Sequence, residues 1–303
     1  MNDDPVTGMS VGQQVSLACL LEVSAPKPGN VHRGADFEDM CLNDFLIAGT
    51  LLGNAIDSVL AADPAVRSGA VGNMILSAVS ATRSALDKNP NLGICLLLCP
   101  LAAAAHKGGG GVVTQADIAT VLEELGPEDC RDVYEAIRIA SPGGLGKVDD
   151  ADVCDRAPDD LIAAMGLAAD RDLVAAQFVN DFDLVFGEAS LLLSEGLNRY
   201  ATVDRAVIFT HTSLMARYPD SLIARKCGEE TAAHSAFLAS KTVDSLVDGS
   251  SFDDEDFQAE LSALDFWLRS DGNRRNPGTT ADLVAATLLV AIHNGVLKEY
   301  FAR

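Results

Sequence analysis

Leu92–Ala105 reads LGICLLLCPLAAAA and is the longest apolar run of the chain. It is apolar on every side, which is typical of a helix buried at the centre of a helical protein. A membrane span needs about 20 apolar residues, and this run is shorter and contains Pro100. The sequence therefore predicts a central core helix here and no transmembrane segment.

Helical periodicity recurs along the 303 residues on both sides of this run, whereas strand alternation hardly appears. Hydrophobic residues make up 48% of the chain and aromatic residues only 5%, which favours close helix packing. We predict an all-α, single-domain multi-helix bundle over residues 1–303, with Leu283–Ile292 as a second central helix. The predicted helices cover residues 10–24, 41–62, 66–87, 92–106, 115–125, 129–140, 158–170, 172–198, 203–216, 220–240, 254–269 and 280–301.

Charge and cysteine usage narrow the class of protein. The net charge is −22, which argues against binding to nucleic acid or to an anionic membrane. The seven cysteines are scattered and form no Cys-x-x-Cys pair, and we recognise no signal peptide in the sequence. We therefore expect reduced thiols in a cytoplasmic protein. Several of the few basic residues lie beside the motifs described next, an arrangement that suits a small polyanion with Mg²⁺.

Two short motifs near opposite ends of the chain have the residues of a phosphate site. In one, a lysine lies between two prolines, which restrict its backbone. In the other, Gly-Thr-Thr opens the last long helix, where free N–H groups and the helix dipole attract anions. The alternative is an ordinary turn and a capping box. The candidate phosphate-binding residues here are Lys27, Gly29, Asn30, Arg33, Asn276, Gly278, Thr279 and Thr280.

Two internal segments add candidate phosphate ligands. At the end of the apolar run, Lys107 precedes four glycines, of which Gly108 and Gly109 come first. Glycines let a backbone approach a ligand closely, although a helix cap needs only one of them. In the segment 218–230, Arg225 and Lys226 follow a plausible N-cap, and adjacent helical residues point about 100° apart. A glycine-rich loop at 141–146 lacks the flanking elements of a dinucleotide fingerprint.

Carboxylates after the first motif suggest a metal and a general base. Asp36 and Asp39, with Asp282 in the last motif, supply the oxygen ligands that Mg²⁺ prefers beside a phosphate. A carboxylate or His32 could take a proton from an attacking hydroxyl, and the sequence does not choose between them. We expect Lys27, Lys107 and the segment 276–282 to converge on one pocket.

The motifs PKPGNVHRGADFEDM, NLGICLLLCPLAAAAHKGGGG, PDSLIARKCG and NPGTTADLVAATLL, in this order, resemble the triphosphoribosyl-dephospho-CoA synthase family. The resemblance covers residues 13 to 298. It implies an all-helical transferase that takes ATP, expels adenine and joins the triphosphoribosyl group to a ribose hydroxyl of dephospho-CoA. For such a reaction we assign the triphosphate to Lys27, to Lys107, to Arg225 or Lys226, and to the N–H groups that open the helix at Gly278–Asp282.

The chain departs from the better-known members at three places. They read Leu-Val-Asp where this chain has Asn30-Val31-His32, a Gly-Ser/Ala-His-x-Asp-Met stretch after it, and Ser-Pro-Gly-Gly-Ser-Ala-Asp near the end. This pattern indicates a divergent branch whose acceptor is open. One alternative is a phosphoribosyltransferase that uses phosphoribosyl pyrophosphate and another cofactor precursor. An alternative of another class is a helical protein that binds nucleotides without catalysis.

Overall fold

The computed structural model describes residues 8–141, 157–246 and 251–301, which are predominantly helical and contain no strand or sheet. The all-α prediction is confirmed. The helices are α1 (Val11–Ser24), α2 (Leu42–Ala62), α3 (Ala70–Leu86), α4 (Leu92–Lys107), α5 (Gln115–Glu123), α6 (Pro127–Ala140), α7 (Leu161–Gly166), α8 (Leu173–Val179), a π-helical turn (Val185–Ala189), α9 (Ser190–Tyr200), α10 (Val203–Arg217), α11 (Ser221–Cys227), α12 (Glu229–Asp244), α13 (Glu255–Arg269), α14 (Gly278–His293) and α15 (Lys298–Phe301).

Helices α4 and α14 form the centre of the fold, as their composition predicts. Every residue from Ile94 to Ala105 is buried, as is every residue from Leu283 to Ile292. The two helices run parallel, because their first turns are in contact and Asn294 exchanges two hydrogen bonds with the backbone of Val113 at their far ends, at 2.8 and 3.0 Å. Their N-terminal ends therefore lie side by side, and so do their C-terminal ends.

Small residues bring the neighbouring helices close to this pair. Gly12 of α1 packs against Gly53 of α2, where a side chain on either would collide with the other backbone. Helix α1 also packs on α14, and α3 packs between α2 and α6. The main hydrophobic cluster results, and it includes buried residues from Val15 to Leu297. A second, smaller cluster includes Ile223 of α11 and Leu268 of α13.

Four predicted helices are shorter or broken in the structure. The segment 158–170 keeps only α7, and 172–198 divides into α8, the π-helical turn and α9 because Asp181 and Phe182 adopt left-handed backbone angles. The segment 220–240 divides at Gly228, whose φ is 93°. The segment 280–301 divides into α14 and the short α15, with Gly295 between them at a φ of 73°. Periodicity alone does not show these single-residue breaks.

The six cysteines in the described ranges are free, and four of them are buried. Cys154 and residues 142–146 of the glycine-rich loop lie outside those ranges. Helix α2 is long and apolar enough to cross a membrane by length and composition alone, which is weak support for a span because core helices pass the same test. Here α2 packs against α1 and α3.

Candidate active site

The N-terminal ends of three helices meet on one side of the core. The carboxylate of Asp282, near the start of α14, lies against Gly93 in the first turn of α4, where a side chain at 93 would displace it. Gly278 of α14 faces Leu222 of α11, because a Cβ at 278 would come within 2.6 Å of the leucine side chain. The loop between α1 and α2 joins them through Gly29, which packs against Pro277.

The carboxylate of Asp220 ties α11 to α14. It accepts hydrogen bonds from the backbone of Leu222 at 2.9 Å and from Thr280, whose N–H and hydroxyl lie at 2.7 and 2.8 Å. Burial raises the pKa of Asp220, although these donors favour its charged form. Ser221 donates to the hydroxyl of Thr279 at 3.0 Å. Thr280 therefore gives its N–H to a carboxylate of the protein, which corrects the prediction that this group is open to phosphate.

Lys27 is fully buried and does not face solvent. Its ammonium lies 2.9 Å from the carboxylate of Glu22 and also donates to the carbonyl oxygens of Glu22 and Ala25. These three acceptors use the three donors of an ammonium group. This arrangement corrects the prediction of a direct contact between Lys27 and phosphate: the two prolines hold the lysine in the core.

The other residues of the first motif serve the packing of the loop between α1 and α2. Gly29 donates its N–H to Asp265 of α13 at 2.7 Å, and the carbonyl of Asn30 accepts from Arg269. Gly29 has a φ of 76°, a left-handed conformation that favours glycine. Arg33 is exposed, so it stays available to a ligand.

Arg225, Lys226 and Arg274 form a group that we call the cationic cluster. Arg225 donates to Asp172 at the start of α8 at 2.7 Å, and Arg274 donates to the carbonyl of Lys226 at 2.9 Å. Lys226 is half-buried, and no side chain in the described ranges pairs with its ammonium. Burial, and then the charge of Arg225, lowers the pKa of Lys226. A partly desolvated ammonium without a counter-ion is a good site for an anion.

Asp282 lies close to this cluster in an acidic environment. Burial, and then the charges of Glu22, Asp220 and Asp172, raises its pKa well above the usual value, and only Arg225 acts in the opposite direction. Within the described ranges, no side chain or N–H group donates to its carboxylate. A divalent cation or a proton would relieve this excess of negative charge.

The predicted acid–base and metal residues of the loop are more scattered. Asp36 and Asp39 are exposed, and Asp36 accepts from the N–H of Leu42 at 2.8 Å. Burial, and then the charge of Arg269, lowers the pKa of His32, so its imidazole is neutral at pH 7. The N–H of Gly34 donates to the Nδ1 of His32 at 3.1 Å, so the proton of the neutral ring lies on Nε2. Because Nε2 is protonated and Nδ1 already accepts a hydrogen bond, His32 is a poor general base.

No group of three His, Cys, Asp or Glu side chains within the described ranges has metal-binding geometry. The three carboxylates predicted as one ligand set, Asp36, Asp39 and Asp282, therefore do not form a preformed metal centre. Asp39 acts electrostatically on Lys226, and Asp282 acts on Arg225, so both lie near the cationic cluster. Asp36 caps the start of α2 instead.

Lys107, Gly108 and Gly109 lie at the other end of the molecule. From Gly93 to Lys107, α4 rises about 21 Å at roughly 1.5 Å per residue. Lys107 pairs with Glu124, and Gly108 caps α4 by donating to Ala104 at 3.0 Å. The prediction that Lys107 converges with the segment 276–282 is wrong, since the parallel arrangement of α4 and α14 separates them.

Sequence reasoning missed the partners that position the site. Glu22 in apolar α1 and Asp172 before α8 neutralise Lys27 and Arg225, and Asp265 and Arg269 hold the loop after α1. A charged residue inside the otherwise apolar end of α1 was a usable signal for Glu22. Asp172 and Asp265 resemble ordinary surface acids in the sequence, and only the fold brings them to this side.

The fold and the site define an all-helical protein with a cationic site at converging helix ends. Residues 9–299 match the sequence profile of the family described as ATP:dephospho-CoA triphosphoribosyl transferase, so the chain belongs to this family and is a transferase. A crystal structure from Archaeoglobus fulgidus, assigned as a triphosphoribosyl-dephospho-CoA synthase, has the same fold. Its TM-score is 0.59 and its identity 23%, over 82% of this chain and 99% of that one. No curated protein matches the chain.

The family agrees with the resemblance seen in the sequence and with the main function predicted from it. Its activity transfers a triphosphoribosyl group from ATP to dephospho-CoA. Neither the use of phosphoribosyl pyrophosphate nor binding without catalysis is favoured.

Proposed function

We propose that the chain carries out this transfer at the ends of α4, α11 and α14, with the cationic cluster as the triphosphate site. The observation that carries the proposal is the half-buried Lys226 beside Arg225: its ammonium makes no ion pair within the described residues, although Asp220 and Asp39 act on it electrostatically. Lys226 offers an ammonium without an ion-pair partner in the described ranges, and Arg225 and Arg274, although paired with Asp172 and Asp271, each have further N–H donors for charge-assisted hydrogen bonds to a triphosphate. Nothing comparable exists at Lys107, whose charge is already matched by Glu124.

The reaction breaks the bond between C1 of the ribose and N9 of adenine and forms a bond from C1 to a hydroxyl oxygen of dephospho-CoA. The electron pair of the broken bond leaves with adenine, which takes up one proton, and the attacking hydroxyl loses one. Positive charge develops on C1 and the ring oxygen in the transition state, as in glycoside cleavage. The carboxylates around Asp282 provide negative charge on the same side of the core. The protein would therefore hold the triphosphate with cations and stabilise the sugar with carboxylates.

We propose that Mg²⁺ accompanies the triphosphate and that Asp282 holds it, together with phosphate oxygens of the substrate. Mg²⁺ is commonly bound through one or two carboxylates plus phosphate, so a single protein ligand fits. The support is the carboxylate of Asp282 in surroundings where acids outnumber the one opposing arginine. When bound, the ion would neutralise the triphosphate and reduce repulsion from the acidic protein. Asp282→Asn should raise the Mg²⁺ concentration needed for half-maximal turnover, and Asp36→Asn should not.

The test of the activity is incubation of the full chain with ATP, Mg²⁺ and dephospho-CoA, followed by chromatography for free adenine and for the CoA adduct. We expect both products in equal amounts. Adenine without the adduct would contradict dephospho-CoA as acceptor. Pyrophosphate from phosphoribosyl pyrophosphate, with no adenine from ATP, would contradict the donor.

Matched lysine variants test the location of the site. Lys226→Met should weaken nucleotide binding, whereas Lys241→Met should not, because Lys241 pairs with Glu260 on the surface. Equal nucleotide affinities for the two variants would contradict the triphosphate site. The free cysteines in the described ranges and the soluble character of the family support a cytoplasmic location, which we also propose.

A further inference from the structure

We propose that a cavity of about 200 Å³ beside the cationic cluster binds the adenine ring of a substrate. The cavity is lined by α8, the π-helical turn and Tyr218, and its walls include Leu173, Ala176, Leu184 and Gly187. An apolar cavity of about 150 Å³ is large enough for benzene, so this one admits a larger flat ring. The inference rests on the proposed function, because both of its substrates carry adenine.

The polar groups of the cavity favour a ligand that donates hydrogen bonds. Gln177 lines the cavity, is 1% exposed and donates its Nε2 to the carbonyl of Leu173 at 3.1 Å. Its Oε1 has no hydrogen-bond partner in the described part of the chain. A buried acceptor without a donor is costly and uncommon, and because this oxygen has almost no accessible surface, a ligand in the cavity would satisfy it only after the amide turns toward the cavity. The 6-amino group of adenine is a donor of suitable size.

The charges of the cavity argue against phosphate in the same place. Its lining includes Asp183 and Glu188, and Glu188 already accepts from Tyr218 and Arg217. Two carboxylates would repel a phosphate group, whereas they do not oppose a neutral ring with an amino group. Base and phosphates would therefore occupy different places, the cavity and the cationic cluster.

A chain of contacts joins the two places. Leu173 lines the cavity, and its N–H donates to the hydroxyl of Ser221 at 3.2 Å. Ser221 in turn donates to Thr279 of α14, and Arg225 of the same helix as Ser221 belongs to the cationic cluster. Tyr218, on the cavity wall, lies two residues before Asp220. One nucleotide could therefore place its base in the cavity and its phosphates on the cluster.

The π-helical turn gives the cavity its open wall. A Cβ at Gly187 would meet no atom within 4 Å, so the glycine leaves space there instead of fitting a close contact. π-helical turns occur frequently at functional sites. Gly187→Leu should fill the cavity from this wall without a backbone clash. Gly166→Leu is the control, because Gly166 is exposed at the end of α7 and does not line the cavity.

The experiment measures binding of adenosine to the full chain by titration calorimetry. Gly187→Leu should weaken adenosine at least tenfold, and Gly166→Leu should leave it unchanged. Purine riboside, which lacks the 6-amino group, should bind the wild type several-fold more weakly than adenosine. Gln177→Met, a near-isosteric change, should remove that preference. Adenosine binding that Gly187→Leu leaves intact, or a preference that Gln177→Met leaves intact, would overturn the proposal.

Two further arms identify the source of the ring. If the ring comes from ATP, Gly187→Leu raises the KM for ATP. If the ring comes from dephospho-CoA, Gly187→Leu raises the KM for dephospho-CoA instead. If Gly187→Leu weakens the binding of pantetheine and leaves the binding of adenosine unaffected, the cavity holds the pantetheine arm of dephospho-CoA and the proposal is overturned. Adenosine binding that depends on Gly187 in a chain that releases no adenine would refute the proposed function and keep the adenine site. Adenine release without that dependence would refute only the adenine site.

Discussion

The two ends of α4 look alike in sequence and differ in the structure. Each combines glycine with a nearby cation, and the glycine run after Lys107 is the more conspicuous of the two. At the start of α4, Gly93 lies against the carboxylate of Asp282 beside the cationic cluster. At its end, a Cβ on Gly109 or Gly110 would meet nothing within 4 Å. The glycine that matters for the site is the one in close contact.

The difference shows that position relative to α14 decides which end can form the site. The N-terminal ends of α4 and α14 lie together, so the dipoles of both helices favour an anion there. The C-terminal ends lie together on the far side, where Lys107 offsets the opposite end of the dipole and pairs with Glu124. The following predictions test this division between a functional and a structural end.

The largest expected effect is on the free energy of unfolding, and it distinguishes two lysines that are each replaced by methionine, Lys27 and Lys107. Lys27→Met leaves the buried carboxylate of Glu22 without its partner, and such a loss typically lowers the free energy of unfolding by about 3–5 kcal/mol. Lys107→Met removes a surface pair with Glu124 and should cost less than about 1 kcal/mol. Urea denaturation measures both. Equal losses would show that Lys27 is not the structural residue inferred from its burial.

The next effect concerns turnover. Arg225→Met should lower kcat/KM for adenine release by roughly 10²-fold, the scale of losing one charge-stabilising donor. The matched control is Arg67→Met at the far end of α4, an exposed arginine that pairs with Asp63. We expect no change in turnover for Arg67→Met. A similar loss for both variants would move the site away from the cationic cluster.

Much of the fold could be predicted from the sequence, since apolar periodicity located the helices and the two central ones. The site could be predicted only in part. The Gly-Thr-Thr motif does open α14 at the site, but Asp220, 60 residues away, takes the N–H of Thr280. Pro-Lys-Pro does fix its lysine, but Glu22 makes it part of the core. Local patterns predict helix ends, whereas partners from distant segments decide which donors stay free.

A smaller effect should come from the two glycines of the comparison. Gly93→Ala should lower turnover about tenfold by displacing Asp282, less than the 10²-fold that a 1 Å misplacement can cost. Gly109→Ala has space for its methyl group but keeps a φ of 62°, so it should cost about 1 kcal/mol of stability and no activity. Steady-state kinetics and thermal melts distinguish the two. Full activity in Gly93→Ala would remove Asp282 from the proposed mechanism.

The smallest effect should lie at the C-terminal end of α4, where the chain enters α5. Thr114 donates its hydroxyl and its N–H to Asp117 at 2.7 and 2.8 Å, and these two bonds lower the pKa of Asp117. Thr114→Ala should cost about 1 kcal/mol at pH 7, as capping losses do. A lowered folded-state pKa means that the stabilisation is present above the unfolded value of about 3.9 and is lost as the pH falls.

The stability difference between wild type and Thr114→Ala should therefore shrink below about pH 4 while both proteins remain folded enough to measure by urea denaturation. Turnover at pH 7 should be the same in the two proteins, because Thr114 and Asp117 belong to the end of the molecule opposite the proposed active site. A difference that stays constant across this pH range would show that the bonds to Asp117 are not its source. A loss of turnover in folded Thr114→Ala would make the end near Lys107 functional after all and would abolish the distinction between the two ends of α4.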